Sequence, residues 1–174
     1  MIISSKITIH DAEIKIGHEE CSDPSWCRDK ELFIESDSAD NNTISTILFN
    51  DYLTIYVFWD ARPVGVSQEI LYVPETGVLF IGCGSISARV CTKTSKVLGT
   101  NNVCLFWGLG NHQNYVLETG ELECFLYSQA GDMISSVEVD PPYEMDITEK
   151  GIKFESIVLG TTWLRYAGNG SQGG

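Results

Sequence analysis

The chain has 174 residues, of which 43% are hydrophobic, and this is enough for one folded domain with its own core. Its formal net charge is −13 and its pI is near 4.4, so it repels phosphate backbones and anionic lipid. Nucleic acid and membranes are therefore excluded as expected partners.

The first 16 residues alternate apolar and polar side chains, which predicts one or two strands with a buried face. The start of the chain lacks the charged and apolar regions of a secretion signal. No apolar run approaches the roughly 20 residues that a membrane helix needs. These features predict a soluble, cytoplasmic protein.

Residues 17–31 are charged and rich in turn formers, which predicts a loop or a single helical turn. Trp26 lies in the middle of this segment and is expected to be an exposed aromatic anchor for a partner. The acidic residues around it are the first candidate partner-binding residues: Glu19, Glu20, Asp23, Asp29 and Glu31.

Two hairpins are predicted further along the chain. The first joins residues 44–49 to 53–59 across Asn50 and Asp51, a turn without the preferred glycine. The second joins residues 70–73 to 78–81 through the turn formers of residues 74–77. This second hairpin lies in the least charged third of the chain, so we expect it at the centre of the core.

A short motif recurs after the second hairpin. Glu-Thr-Gly at residues 75–77 returns at 118–120, and a looser Glu-Lys-Gly stands at 149–151. The first interval, 43 residues, is typical of propeller blades, whereas the second, 31, breaks the period. The predicted fold is all-β and mainly antiparallel, either a β-sandwich or an incomplete propeller-like arrangement of hairpins, with few or no helices. Residues 1–167 are expected to form one domain and residues 168–174 a flexible tail.

The run L-Y-V-P-E-T-G-V-L-F-I-G-C-G, with C-L-F-W-G-L-G-N-H-Q-N-Y-V-L-E-T-G-E-L-E-C-F-L-Y and the later V-E-V-D-P-P-Y-E-M, resembles a group of uncharacterised bacterial proteins. Those proteins share a turn hairpin, a Trp-containing strand, a hairpin ending in a glycine turn, and a Pro-Pro-aromatic step. The resemblance covers residues 69–160 and implies a β-rich, blade-like fold. It implies no catalytic residues.

Catalytic and metal-binding signatures are weak. His10, His18, Cys21 and Cys27 lie close in sequence, but their spacing is not that of a zinc knuckle, so no metal is predicted. The nucleophile motif Gly-x-Ser-x-Gly is absent from the sequence. The glycine-rich stretches at residues 82–85 and 108–111 lack the lysine of a phosphate loop. No cofactor and no catalytic residue are predicted. The alternative is a small-molecule or carbohydrate-handling domain, such as a hydrolase, that would use carboxylates and Trp107 or His112 in a pocket.

Charge is distributed unevenly along the chain. Residues 1–60 and 117–160 each carry a net charge of −8, whereas residues 61–116 carry +2. Acidic surfaces attract basic partners and speed their association. The leading hypothesis is therefore a non-enzymatic immunity or inhibitor protein that neutralises a basic toxin domain such as a nuclease. Glu118, Glu121 and Glu123 complete its candidate partner-binding set. A third hypothesis is a blade-like scaffold that completes a larger β assembly through a sheet edge.

Overall fold

Alternating and continuous apolar runs form sixteen strands in the part of the chain that the structure describes. The structure is a computed structural model that describes residues 3–9, 11–61 and 68–166, with side chains from residue 11 onward. One short helix, α1 (Ser25–Arg28), interrupts the strands. The strands form four sheets, and only one strand pair is parallel. The predicted all-β class is confirmed.

The first sheet contains five strands in the order β1-β2-β4-β5-β3. Their bounds are β1 Ile3–Ile9, β2 Ala12–Glu20, β3 Phe33–Glu35, β4 Thr43–Phe49 and β5 Leu53–Trp59. The predicted hairpin over residues 44–59 is confirmed as β4 and β5. Its turn forms without glycine because Asn50 and Asp51 adopt left-handed φ angles of 47° and 59°, which these two residue types tolerate.

The remaining strands form three sheets that each follow chain order. The second sheet contains β6 Glu69–Val73, β7 Val78–Cys83, β8 Ile86–Cys91 and β9 Lys96–Asn102. The third contains β10 Phe106–His112, β11 Tyr115–Gly120, β12 Glu123–Ser128 and β13 Met133–Glu138. The fourth contains β14 Tyr143–Thr148, β15 Gly151–Ser156 and β16 Gly160–Arg165. The predicted hairpin over residues 70–81 is confirmed as β6 and β7.

These three sheets repeat with a period that differs from the one predicted. They begin at Glu69, Phe106 and Tyr143, which are 37 residues apart in both intervals. The Glu-Thr-Gly triplet does not mark this period, because residues 75–77 form a turn whereas residues 118–120 lie inside β11. The structural repeat is therefore present, but the triplet that suggested it occupies different places in successive units.

Each sheet packs face to face on the next, which gives three successive core layers. The sequence of β7 is apolar along its length because both faces of the strand are buried. Leu79 and Ile81 face the first sheet, while Val78 and Phe80 face the third. Consecutive antiparallel sheets stacked in chain order form an incomplete propeller-like arrangement rather than a two-sheet sandwich. The hairpin of β6 and β7 is central to the core, as predicted.

The two outer faces of the stack are covered differently. On the first sheet, Cys27 of α1 packs on Ile44 and Phe58, so the 21–32 segment covers the apolar outer face. On the fourth sheet, cross-strand registers place polar residues on the outer face: Glu144, Asp146, Lys153, Glu155, Thr161 and Arg165. Both outer faces of the stack therefore present polar residues to solvent.

Two earlier expectations concern other parts of the chain. The tail predicted at residues 168–174 lies outside the described residues, as does the metal candidate His10. Among the described helices, none is long and apolar enough to cross a membrane.

Candidate functional site

Turns and linkers of the second, third and fourth sheets meet at one end of the stack, where backbone hydrogen bonds connect them. The N–H of Val103 donates to the carbonyl of Ser85 (2.9 Å), and the N–H of Glu121 donates to the carbonyl of Leu105 (2.8 Å). The N–H of Val139 then donates to the carbonyl of Leu122 (2.9 Å). The linkers into the third and fourth sheets are therefore fixed on the turns of the sheets before them.

Carboxylates are concentrated at this end, which we call the acidic end. They are Glu20, Asp37, Asp40, Glu121, Glu123, Glu138, Asp140, Glu144 and Glu155. Two bordering cations already hold a carboxylate: Arg28 contacts Glu35 (2.8 Å) and Lys153 contacts Glu155 (2.5 Å). The opposite end carries both signs, with Lys15, Asp51, Glu75, Lys93, Lys96, Asp132, Glu149 and Lys150. The molecule is therefore electrostatically asymmetric along its strands.

The α1 segment presents Trp26 beside this acidic end. Cys27 is buried, and its thiol donates to the carbonyl of Pro24 at 3.3 Å, which fixes the helical turn. Trp26 is 51% exposed and meets the ring of Tyr56 edge-on, with 5.6 Å between ring centroids. The prediction of an exposed aromatic in this segment is confirmed.

The acidic residues predicted around Trp26 lie at the surface. Glu20, Asp23, Asp29 and Glu31 are exposed, and Glu19 is half-buried in β2. Asp23 also accepts a hydrogen bond from the N–H of Ser25 (3.0 Å), so one of its oxygens orders the start of α1. Whether these residues bind a partner stays a prediction.

Glu118 does not belong to the exposed acidic surface, contrary to its place in the predicted set. It is only 2% exposed and lies between the second and third sheets. Burial raises the pKa of its carboxyl to about 7, against the hydroxyls of Ser87 and Tyr127 and the charge of Arg89, which favour the carboxylate. The Arg89 guanidinium carbon stands 4.5 Å from the centroid of the Tyr127 ring. The burial of Glu118 was not predicted because no sequence pattern indicates that β11 is covered by a sheet on both faces.

Glu121 and Glu123 do not occupy one strand face, although they are two residues apart. Glu121 lies in the turn between β11 and β12, where its carboxylate accepts from the Cys104 thiol at 3.4 Å. Glu123 begins β12 and is exposed. Both residues remain at the acidic end, one in a turn and the other at the start of a strand.

Trp107 and His112 lie towards opposite ends of β10, roughly 16 Å apart along a strand. Trp107 stacks on Tyr143 with 5.2 Å between centroids. His112 stacks on Tyr166 with 6.1 Å between centroids. The two side chains therefore do not line one pocket together. In the described part of the chain, no three metal-ligating side chains lie together.

Three residues of the acidic end that the sequence analysis did not single out form two pairs together with Glu123. Glu123 of β12 stands directly opposite Glu138 of β13, and Glu144 of β14 stands directly opposite Glu155 of β15. Like charges opposite each other in a sheet are destabilising. Only strand register places them together, so no spacing in the sequence indicates either pair.

Comparison with known proteins gives a single kind of similarity. No protein family matches the sequence, and no curated protein matches it. Among solved structures, the crystal structure of BamB from Moraxella catarrhalis is similar at a TM-score of 0.43 with 7% sequence identity. The match covers 87% of this chain but 39% of the BamB chain. The chain thus spans about two fifths of that structure.

Proposed function

We propose that this chain is a non-enzymatic binding protein that captures a basic protein domain, in the manner of an immunity protein that neutralises a toxin. The observation that supports this most is the concentration of carboxylates at the acidic end, while the opposite end carries both signs. A rigid framework of linked turns holds these carboxylates in place. The Trp26 face adds an aromatic anchor of the kind that contributes strongly to interfaces.

The mechanism begins with electrostatic steering. A field of one sign raises the association rate of an oppositely charged partner by about 10- to 1,000-fold at low salt. Salt screens it over a Debye length of about 8 Å at physiological ionic strength, so the advantage falls as salt rises. Once docked, the acidic end would cover the basic substrate groove of the toxin and exclude its substrate.

Mixing experiments with one defined probe test this proposal. The probe is the purified protein encoded by the neighbouring gene, and calorimetry measures complex formation while an activity assay measures inhibition. We expect a one-to-one complex and loss of the probe's activity. Absence of a complex would overturn the proposal.

Two matched double variants locate the surface. Glu20→Lys with Glu123→Lys changes the charge of the acidic end by +4, and Glu75→Lys with Glu149→Lys makes the same change at the opposite end. The first pair should weaken the complex at least tenfold, whereas the second should leave its affinity within about twofold. Equal weakening by both pairs would show attraction by net charge without a site.

A further inference from the structure

The turn between β15 and β16 exposes three consecutive apolar side chains. Ile157 is 85% exposed, Val158 is 74% exposed and Leu159 is 44% exposed. The turn is held by a hydrogen bond from the N–H of Leu159 to the hydroxyl of Ser156 (3.2 Å) and by Gly160 at a φ of 69°. We call residues 157–159 the apolar turn. Exposed apolar clusters with polar surroundings mark interaction sites.

A groove lies on each side of the apolar turn, and each groove contains one of the two glutamate pairs. One groove, of about 360 Å³, is lined by Ile157 and Tyr143 together with Glu144 and Glu155. The other, of about 310 Å³, is lined by Leu122, Glu123, Glu138, Val139, Asp140 and Leu159. An apolar projection therefore stands between two pairs of glutamates, of which only Glu155 also contacts a lysine, Lys153 (2.5 Å), among the described ion pairs.

The equivalent turns of the two preceding sheets are covered. The backbone of residues 84–85 accepts hydrogen bonds from Val103 and Phe106. The backbone of residues 121–122 is bonded to Leu105 and Val139. Among the described residues, no later segment bonds to the apolar turn in this way. Within the residues that the structure describes, the apolar turn is therefore exposed whereas its counterparts are packed.

We propose that the apolar turn is the anchor of the interface, and that the two glutamate pairs hold cationic side chains on either side of it. The occupant is a basic protein surface that offers an apolar recess between two Lys or Arg side chains. This inference deepens the proposed function and depends on it. Its physical reason is that a cation placed between two opposed glutamates relieves their repulsion, while the recess removes the apolar turn from water.

Charge selects this occupant over others. A second copy of the chain would bring the same glutamates against each other, and the net charge of −13 adds to that repulsion. An anionic lipid surface meets the same obstacle. A basic protein satisfies both the apolar turn and the carboxylates beside it.

Short peptides provide a direct probe. The first has the sequence Gly-Ser-Lys-Gly-Leu-Gly-Lys-Ser-Gly, the second replaces its leucine by serine, and the third replaces both lysines by glutamate. Methyl and amide NMR signals of the full chain report where each peptide binds. The first should shift the signals of Ile157, Val158 and Leu159. The second should bind about tenfold more weakly and the third should not bind.

Variants and controls separate the outcomes. Ile157→Ser with Val158→Ser should abolish the leucine dependence, whereas Ile147→Ser, an exposed apolar residue of β14, should preserve it. Equal binding of the lysine peptides with and without leucine, with shifts across the acidic end, would overturn the anchor while leaving the proposed function intact. No shift with any peptide would overturn the anchor. Shifts of the glutamate pairs on adding Ca²⁺ alone, or on concentrating the protein alone, would assign the surface to a metal or to a second copy and overturn it.

Discussion

Glu123 and Glu138 stand directly opposite each other on β12 and β13, both exposed, at the end of the sheet where carboxylates accumulate. Two opposed negative charges weaken the strand pairing that brings them together. Glu144 and Glu155 repeat this arrangement in the next sheet. The acidic end therefore retains opposed negative charges although they lower the stability of the protein slightly. This compromise is expected of a surface that binds cations.

The first prediction is that a lysine at position 138 raises the stability of the protein and lowers its affinity for the basic partner. Glu138→Lys converts the pair into an ion pair and should raise the free energy of unfolding by about 0.5 kcal/mol. The same change should weaken the complex with the basic partner. Urea unfolding measures the first effect and calorimetry the second. Glu149→Lys at the opposite end is the control, with no expected gain; equal stabilisation by both variants would contradict the argument.

The second prediction concerns the pH dependence of stability. Burial raises the pKa of Glu118 from 4.5 to about 7, and Glu123 adds to the rise. Between those values the folded protein holds a proton that the unfolded chain has released. The contribution of Glu118 is therefore fully present below pH 4.5 and is lost as pH rises to about 7, amounting to about 3 kcal/mol.

Glu118→Gln tests this prediction because its side chain stays neutral. Between about pH 5 and pH 8, the unfolding free energy of the wild type should fall relative to that of Glu118→Gln. Glu123→Gln, an exposed position, should show no such trend. A pH-independent difference for Glu118→Gln would contradict the raised pKa.

The third prediction tests the packing between the second and third sheets. A Cβ at Gly82 would lie 2.0 Å from the ring of Phe106, so Gly82→Ala should destabilise the protein by about 1–3 kcal/mol. Phe106→Leu in the same chain should recover part of the loss, because it shortens the obstructing side chain. Gly110→Ala meets nothing within 4 Å and should change stability by less than about 0.5 kcal/mol. Equal effects at both glycines would contradict the stacking of these sheets.

The fourth prediction concerns Trp26. Its ring is exposed and meets only the edge of Tyr56, so Trp26→Ala should change stability by less than about 1 kcal/mol. In the complex, the ring should be buried, and the variant should bind at least tenfold more weakly. A blue shift of tryptophan emission on binding, absent from the variant, reports the burial. Undiminished affinity would place the interface away from α1.

Local sequence patterns predicted the hairpins well. Turn formers at residues 74–77 and the apolar runs on both sides of them define β6 and β7 without help from distant residues. The same holds for Asn50 and Asp51, whose tolerance of left-handed φ replaces the usual glycine.

The repeat and the site depended on tertiary structure. The 37-residue period was hidden because equivalent positions, such as Glu69, Phe106 and Tyr143, are not occupied by one residue type. Glu118 was assigned to the acidic surface by its charge, yet β11 is covered on both faces. The opposition of Glu123 and Glu138 requires a register that includes a bulge between Leu126 and Tyr127. Strand register of this kind cannot be read from one sequence.

The most direct test of an acidic end that captures a basic partner is the association rate with the neighbouring gene's product, measured against salt. Between about 20 mM and 500 mM salt, the wild-type rate should fall at least tenfold. Glu20→Lys with Glu123→Lys should lower the low-salt rate by about tenfold, while Glu75→Lys with Glu149→Lys should leave it within about twofold. Equal rates for the two double variants, or a wild-type rate that does not change with salt, would contradict the proposal.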